Sequence, residues 1–168
     1  MFPGHCDTIG RKGMEKMNVS LCVVAYNEEK SLPGLLKDIE GQTYSHDRME
    51  ILLIDSCSED RTKEIMQQFA REKGNEFLAV RVVDNPGRIQ SCGWNVAITH
   101  FTTEVIIRVD AHSHIPEQFV EKNVENLETG EMISGGVRPV LAEQETPWGR
   151  TLLLAEASMF GSSASSFR

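Results

Sequence analysis

Short apolar runs alternate along this chain with polar turn clusters and with stretches whose apolar residues recur every three or four positions. Residues 19–25 (VSLCVVA) form a run of strand length, with the β-branched content of a strand buried on both faces. Ser31 then reads as a helix cap, followed by Leu32, Leu35, Leu36 and Ile39 at helical spacing. The pattern repeats in 50–54 (EILLI), a stop at Asp55-Ser56-Cys57-Ser58, and a helix carrying Thr62, Ile65, Met66 and Phe69 on one side. A third strand is expected over 78–83, closed by the turn cluster Asp84-Asn85-Pro86-Gly87, with a helix over 89–98 through Ile89, Cys92, Val96 and Ala97. Residues 104–109 (EVIIRV) predict the fourth strand, ending at Asp110; Pro116 then opens a helix with Phe119, Val120, Val124 and Leu127. A further strand over 132–136 and a helix over 148–159 complete the pattern, and 161–166 is small and polar.

Strands alternating with helices predict an α/β fold, a mainly parallel sheet with helices on both faces. No internal repeat or linker is visible. Residues 1–17, with scattered glycines and charges, read as a disordered leader, and 18–168 as the folded domain.

Composition narrows the partners. The 168 residues can bury a core without disulfide staples. A net charge of −8 disfavours nucleic acid, or an anionic membrane held by bulk electrostatics. It leaves room for a phosphate ligand, because a local cation overcomes a negative surround. Cys6, Cys22, Cys57 and Cys92 have no CxxC spacing, so neither a zinc ribbon nor a redox pair is indicated. Buried free thiols at Cys22 and Cys92 and a reducing, cytoplasmic setting fit this usage. No apolar run approaches the ~20 residues that span a bilayer.

In open α/β sheets, ligands bind beyond the carboxyl ends of the strands. Those ends carry Tyr26-Asn27-Glu28-Glu29, Asp55, Asp84-Asn85 and Asp110-Ala111-His112. GxGxxG and GxxxxGK[ST] are both missing, so another device must neutralise any phosphate. Asp110 and His112, two residues apart on a loop, offer oxygen and imidazole ligands for a divalent cation; His114 extends the pattern to D-x-H-x-H. Such an ion would bridge two phosphates and assist the leaving group. The same residues also fit surface imidazoles beside a turn. Asp55 fits a helix cap as well as a ligand, and Arg88 and Asn95 fit solvated side chains.

Four segments, VSLCVVAYNEEKSLPGLLKDIEGQTY, EILLIDSCSEDRTKEI, NPGRIQSCGWNVAI and VIIRVDAHSHIP, resemble in order and spacing the family 2 glycosyltransferases of GT-A fold. The nearer likeness is to the branch that builds bacterial exopolysaccharides of the succinoglycan type. The resemblance runs from Asn18 to Arg168. It implies that Ala25, Tyr26, Asn27 and Glu28 lie along the nucleotide of a nucleotide-sugar donor and that Asp55 binds base or ribose. Asp110 matches the first aspartate of a DxD motif meeting metal and diphosphate. His112 stands where the second aspartate usually is, and Arg88 and Asn95 border the donor site.

The reaction so implied is inverting glycosyl transfer to a glycan or lipid-linked sugar acceptor. UDP is the default nucleotide, and Mn2+ or Mg2+ the cofactor. The place implied is the cytoplasm, with peripheral association at the inner face of the cell membrane for a full-length protein. The family's carboxylate base falls beyond Arg168, so residues 1–168 are expected to bind donor but transfer poorly, and 161–168 to be poorly ordered. Glu143, Glu145 and Glu156 do not match its motif. Two rivals stand beside this reading. A sugar-1-phosphate nucleotidyltransferase would carry a Gly-rich basic loop where Tyr26-Asn27-Glu28-Glu29 stands, and would release pyrophosphate from a nucleoside triphosphate. A donor-binding module would bind nucleotide-sugar and transfer nothing.

Overall fold

The computed structural model describes residues 17–135, 146–148, 150, 151 and 154. The chain falls into two compact units, Met1–Gly130 and Glu131–Arg168, where the sequence pattern shows no boundary.

The first unit is built on β1 (Val19–Ala25), β2 (Met49–Asp55), β3 (Ala79–Asp84) and β4 (Val105–Asp110), in the order β3-β2-β1-β4 and parallel throughout. Between and after them come α1 (Leu32–Glu40), α2 (Thr62–Lys73), α3 (Gln90–His100) and α4 (Phe119–Glu128). The strand order dictates the layers. Crossovers between parallel strands are right-handed, so the steps β1→β2→β3 put α1 and α2 on one face. The step from β3 back past β1 to β4 reverses direction and sends α3 to the other face. Residues of β1 alternate accordingly. Val19, Leu21, Val23 and Ala25 join a core with Leu35, Ile39, Met66, Phe69, Val120 and Val124. Cys22 and Val24 join a smaller one with Leu52, Ile54 and Ala97. Both faces are covered, as the continuous apolar runs of β1 and β2 require.

Helix α3 buries Ala97 and half-buries Cys92 and Val96 as expected, but leaves Ile89 outside and adds Gly93 to its inner face. Ile89 and Ile98 are 61% and 59% exposed, Cys92 is half-buried, and Gly93 and Ala97 are the buried positions. A Cβ on Gly93 would stand 2.5 Å from Val24 Cγ1, so the helix approaches β1 as closely as a residue without a side chain allows. Cys22 is a buried free thiol, as expected, and burial, with the Glu50 carboxylate nearby, pushes its pKa up to about 12. Ser31 does not cap α1 through its side chain; its hydroxyl donates to Glu28 Oε2 at 2.8 Å instead. Pro116 lies in the turn before α4, accepting the Phe119 N–H at 2.9 Å, and the helix starts at Phe119.

The amino end of the sheet is closed by a buried carboxylate. Glu50 accepts hydrogen bonds from Ser20 Oγ and Arg81 Nη2, from the Thr102 N–H at 3.0 Å and from Thr102 Oγ1 at 2.9 Å. Burial acts to raise its pKa. The Ser20 and Thr102 hydrogen bonds and the Arg81 charge outweigh that and leave it lowered.

In the second unit, Pro147, Trp148, Arg150, Thr151 and Leu154 are helical, and the rest of the helix read over 148–159 lies outside the described residues. The strand expected over 132–136 is not formed: residues 132–135 are irregular and Gly136 lies outside the described residues. So do residues 1–16 of the expected leader and all of 161–168. Met17, the leader's last residue, packs partly buried against the core. No helix among the described residues is long and apolar enough to cross a membrane.

Candidate functional site

The strand order reverses between β1 and β4, and open α/β sheets take their ligands beyond the carboxyl ends of the strands at such a point. A half-open cleft of about 150 Å³ lies there. Val24, Ala25, Tyr26 and Glu28 line it from β1, Ser56 from β2, Arg88 and Gln90 from the start of α3, and Asp110, Ala111 and His112 from β4. The register aligns the rim, with Ala25 opposite Asp55, Asp55 opposite Asp84 and Val24 opposite Asp110.

The rim loops are held in unusual backbone. Asn27, Cys57 and Arg88 have φ of 55°, 61° and 61°, the left-handed region that non-glycine residues seldom enter. They follow β1, β2 and β3 respectively, so each of those strands turns off the sheet through one such residue. The loops also brace one another. The Asn27 N–H donates to Ser58 Oγ at 3.0 Å and its Oδ1 accepts the Glu59 N–H at 2.8 Å. The Glu28 N–H donates to Thr62 Oγ1 at 2.7 Å. Buried Asn85 donates to Ser56 Oγ and to the Ile89 carbonyl, each at 3.0 Å, and so ties the cleft's β2 wall to its α3 wall.

Most of the residues picked out in the sequence meet here. Ala25, Tyr26, Glu28, Arg88, Asp110 and His112 all line the cleft. Asp55 is 2% exposed beside it, its carboxylate accepting the Ser58 N–H at 3.3 Å on both oxygens. Asn27 is a loop brace outside the lining. Asn95 is an exposed residue of α3 whose carbonyl accepts Thr99 Oγ1 at 3.2 Å; it too is outside the lining. His114 turns to α1, with Nδ1 2.9 Å from Asp38 Oδ2, so the D-x-H-x-H pattern separates after His112. Ser56 and Gln90 line the cleft without having been singled out. Their signal was positional: one directly follows the acidic end of β2, the other opens the helix after the Pro-Gly turn.

The family model of glycosyl transferase family 2 matches residues 20–165. The chain belongs to this family. Among curated relatives it is 32% identical over 133 residues to undecaprenyl-phosphate 4-deoxy-4-formamido-L-arabinose transferase of Pseudomonas savastanoi, covering 79% of this chain and 38% of that protein. It is 26% identical to dolichyl N-acetyl-alpha-D-glucosaminyl phosphate 3-beta-D-2,3-diacetamido-2,3-dideoxy-beta-D-glucuronosyltransferase of Methanococcus voltae, over 66% of this chain and 34% of that one. The chain thus spans little more than a third of these relatives' length.

Among solved structures, a Pyrobaculum calidifontis mannosyltransferase in complex with GDP-Man and Mn2+ aligns with a TM-score of 0.56 at 27% identity, over 61% of this chain and 29% of that one. Residues 1–349 of S. aureus TarS align at 0.57 and 24% identity, over 67% of this chain and 33% of that one. The GT-A fold is common to them.

Family 2 enzymes of GT-A fold typically use a divalent cation, and the residues here fit one in a limited sense. Asp110 and His112 line one cleft. With the His112 ring proton on Nδ1, toward Glu28 Oε1 at 3.2 Å, Nε2 keeps its lone pair. No group of three His, Cys, Asp or Glu side chains able to hold a metal occurs among the described residues. The donor set therefore suits an ion that takes its remaining ligands from phosphate or water, as Mg2+ does in nucleotide sites.

Proposed function

We propose that this chain binds the nucleoside diphosphate end of a sugar donor for an inverting glycosyltransferase of cell-surface glycan synthesis, such as exopolysaccharide. The observation that carries the reading is the convergence of Asp110 and His112 with Arg88 and Tyr26 on one cleft at the β1/β4 switch point. At about 150 Å³ the cleft is smaller than the ~300 Å³ or more of a typical ligand pocket, so it suits the diphosphate rather than the whole donor. The nucleoside then extends toward Asp55 and the loop after β1, where half-exposed Tyr26 offers a stacking surface.

Within this reading Arg88 neutralises phosphate charge, and Asp110 with His112 holds Mn2+ or Mg2+. When bound, the ion supplies Lewis-acid stabilisation of the departing diphosphate. UDP is the donor nucleotide we favour. The names of the curated relatives support a lipid-linked acceptor, and with it an enzyme working in the cytoplasm beside the membrane. The acidic loop Tyr26-Asn27-Glu28-Glu29 speaks against nucleotidyl transfer, which needs basic groups for a triphosphate.

Titration calorimetry with UDP tests the donor site. Mn2+-dependent binding should weaken on the order of tenfold or more in Asp110→Ala, and to the same low level in wild type with chelator. Binding indifferent to both changes would overturn the reading.

A further inference from the structure

Glu28 is more than a wall of the cleft. Its side chain is a quarter exposed and held at both oxygens: Oε2 accepts Ser31 Oγ at 2.8 Å, and Oε1 lies 3.2 Å from His112 Nδ1. Its backbone is fixed independently, by the N–H bond to Thr62 Oγ1 at 2.7 Å and by the carbonyl accepting Ser31 N–H and Leu32 N–H at 3.1 and 2.9 Å. A carboxylate locked in this way is a rigid acceptor. His112, by contrast, is an exposed side chain on a loop that would sample several rotamers without it. The neighbouring imidazole shows the alternative: His114, two residues on, is drawn to Asp38 and α1.

We infer that Glu28 is the positioning residue for His112, binding its Nδ1–H so that Nε2 is presented to a divalent cation in the cleft. A carboxylate behind an imidazole ligand fixes its tautomer and raises its basicity, and losing such a partner typically weakens metal affinity about 10–100-fold. The carboxylate at 28 thereby acts through 112, not on the nucleotide. The inference rests on the donor-site reading above, and the following measurements separate the two.

The probe is Mn2+ with UDP on the 168-residue chain, followed by electron paramagnetic resonance. Pulsed spectra of wild type should show coupling to the nitrogen of a bound imidazole, absent in His112→Ala. Glu28→Gln should weaken Mn2+ affinity on the order of tenfold and diminish that coupling, while Glu28→Asp recovers part of it. In a His112→Ala background, Glu28→Gln should change affinity by less than about twofold. Thermal unfolding of each variant identifies any that fails to fold, and the wild-type nitrogen coupling requires no variant. An equal loss from Glu28→Gln with and without His112 overturns the relay and leaves the donor site standing; wild-type Mn2+ bound without nitrogen coupling overturns the relay and removes His112 from the ion, leaving the UDP site with Asp110. Failure of wild type to bind UDP with Mn2+ overturns both.

Discussion

The two ends of the sheet treat charge in opposite ways. At the amino end, Glu50 is buried and each carboxylate oxygen has protein donors from Ser20, Arg81 and Thr102. Arg81 also donates to the His100 carbonyl, so β1, β2, β3 and the segment after α3 are joined through one residue. At the carboxyl end, Asp110 is partly exposed and meets Arg108 Nη2 and Gln90 Nε2 at 3.4 Å, the outer limit of a hydrogen bond. Three left-handed residues cluster at that end. One edge satisfies its charge internally and holds the strands in register. The other leaves Asp110 partly exposed and turns three strands off the sheet through left-handed residues, the condition of a surface shaped for a ligand.

The largest effect should come from the closed edge. Glu50→Gln removes a buried charge paired with a partly exposed Arg81 and turns one acceptor oxygen into a donor, and should lower stability by about 2 kcal/mol in urea unfolding, with UDP affinity of the folded chain unchanged. Because the Glu50 pKa is lowered on folding, its contribution is present above the unfolded value near 4.5 and is lost as pH falls through the folded one. Wild-type stability should therefore fall on acidification below that point, and Glu50→Gln should lack this share of the fall. A matching loss of stability in Asp110→Ala would break the comparison, since that carboxylate is expected to serve the ligand rather than the sheet.

Next in size is Gly93→Ala. Helix propensity favours alanine by about 1 kcal/mol, but overpacking costs about 1–3 kcal/mol. The Val24 methyl at 2.5 Å belongs to a stiff, β-branched side chain, so the clash should win by about 1 kcal/mol in thermal unfolding. The smallest effect sharpens the contrast most. Arg88→Gly relieves a left-handed residue and should leave stability equal or up to about 0.5 kcal/mol higher, while weakening UDP binding in calorimetry. Lower stability together with undiminished binding would make Arg88 a structural residue and remove the trade between strain and function.

The strands were legible because β1 and β2 are buried on both faces and so read as unbroken apolar runs of strand length. Acidic strand ends were legible for a related reason: a parallel sheet sends all of them to one edge. The face of α3 was legible only in part: Ala97 was read on it, but Gly93, which makes the close contact with β1, carries no hydrophobic signal. Asn95 came from the family resemblance, and it lies exposed on α3, outside the lining of the cleft. Nor could spacing tell His112 from His114. Which imidazole joins the cleft is decided by Glu28 and Asp38, residues more than seventy positions away in the chain.

The fit of Gly93 against Val24 carries a message about variation across the family. Two residues 69 positions apart share one volume, so neither can enlarge unless the other shrinks. Asn85 Nδ2 lies 3.2 Å from that same missing Cβ and bonds the Ser56 hydroxyl. A bulkier residue at 93 would therefore propagate to the cleft as a shifted wall. Val24→Ala paired with Gly93→Ala should be accepted where Gly93→Ala alone is resisted. Sequence histories should show these positions drifting as a pair, with the cleft tolerating only the double step.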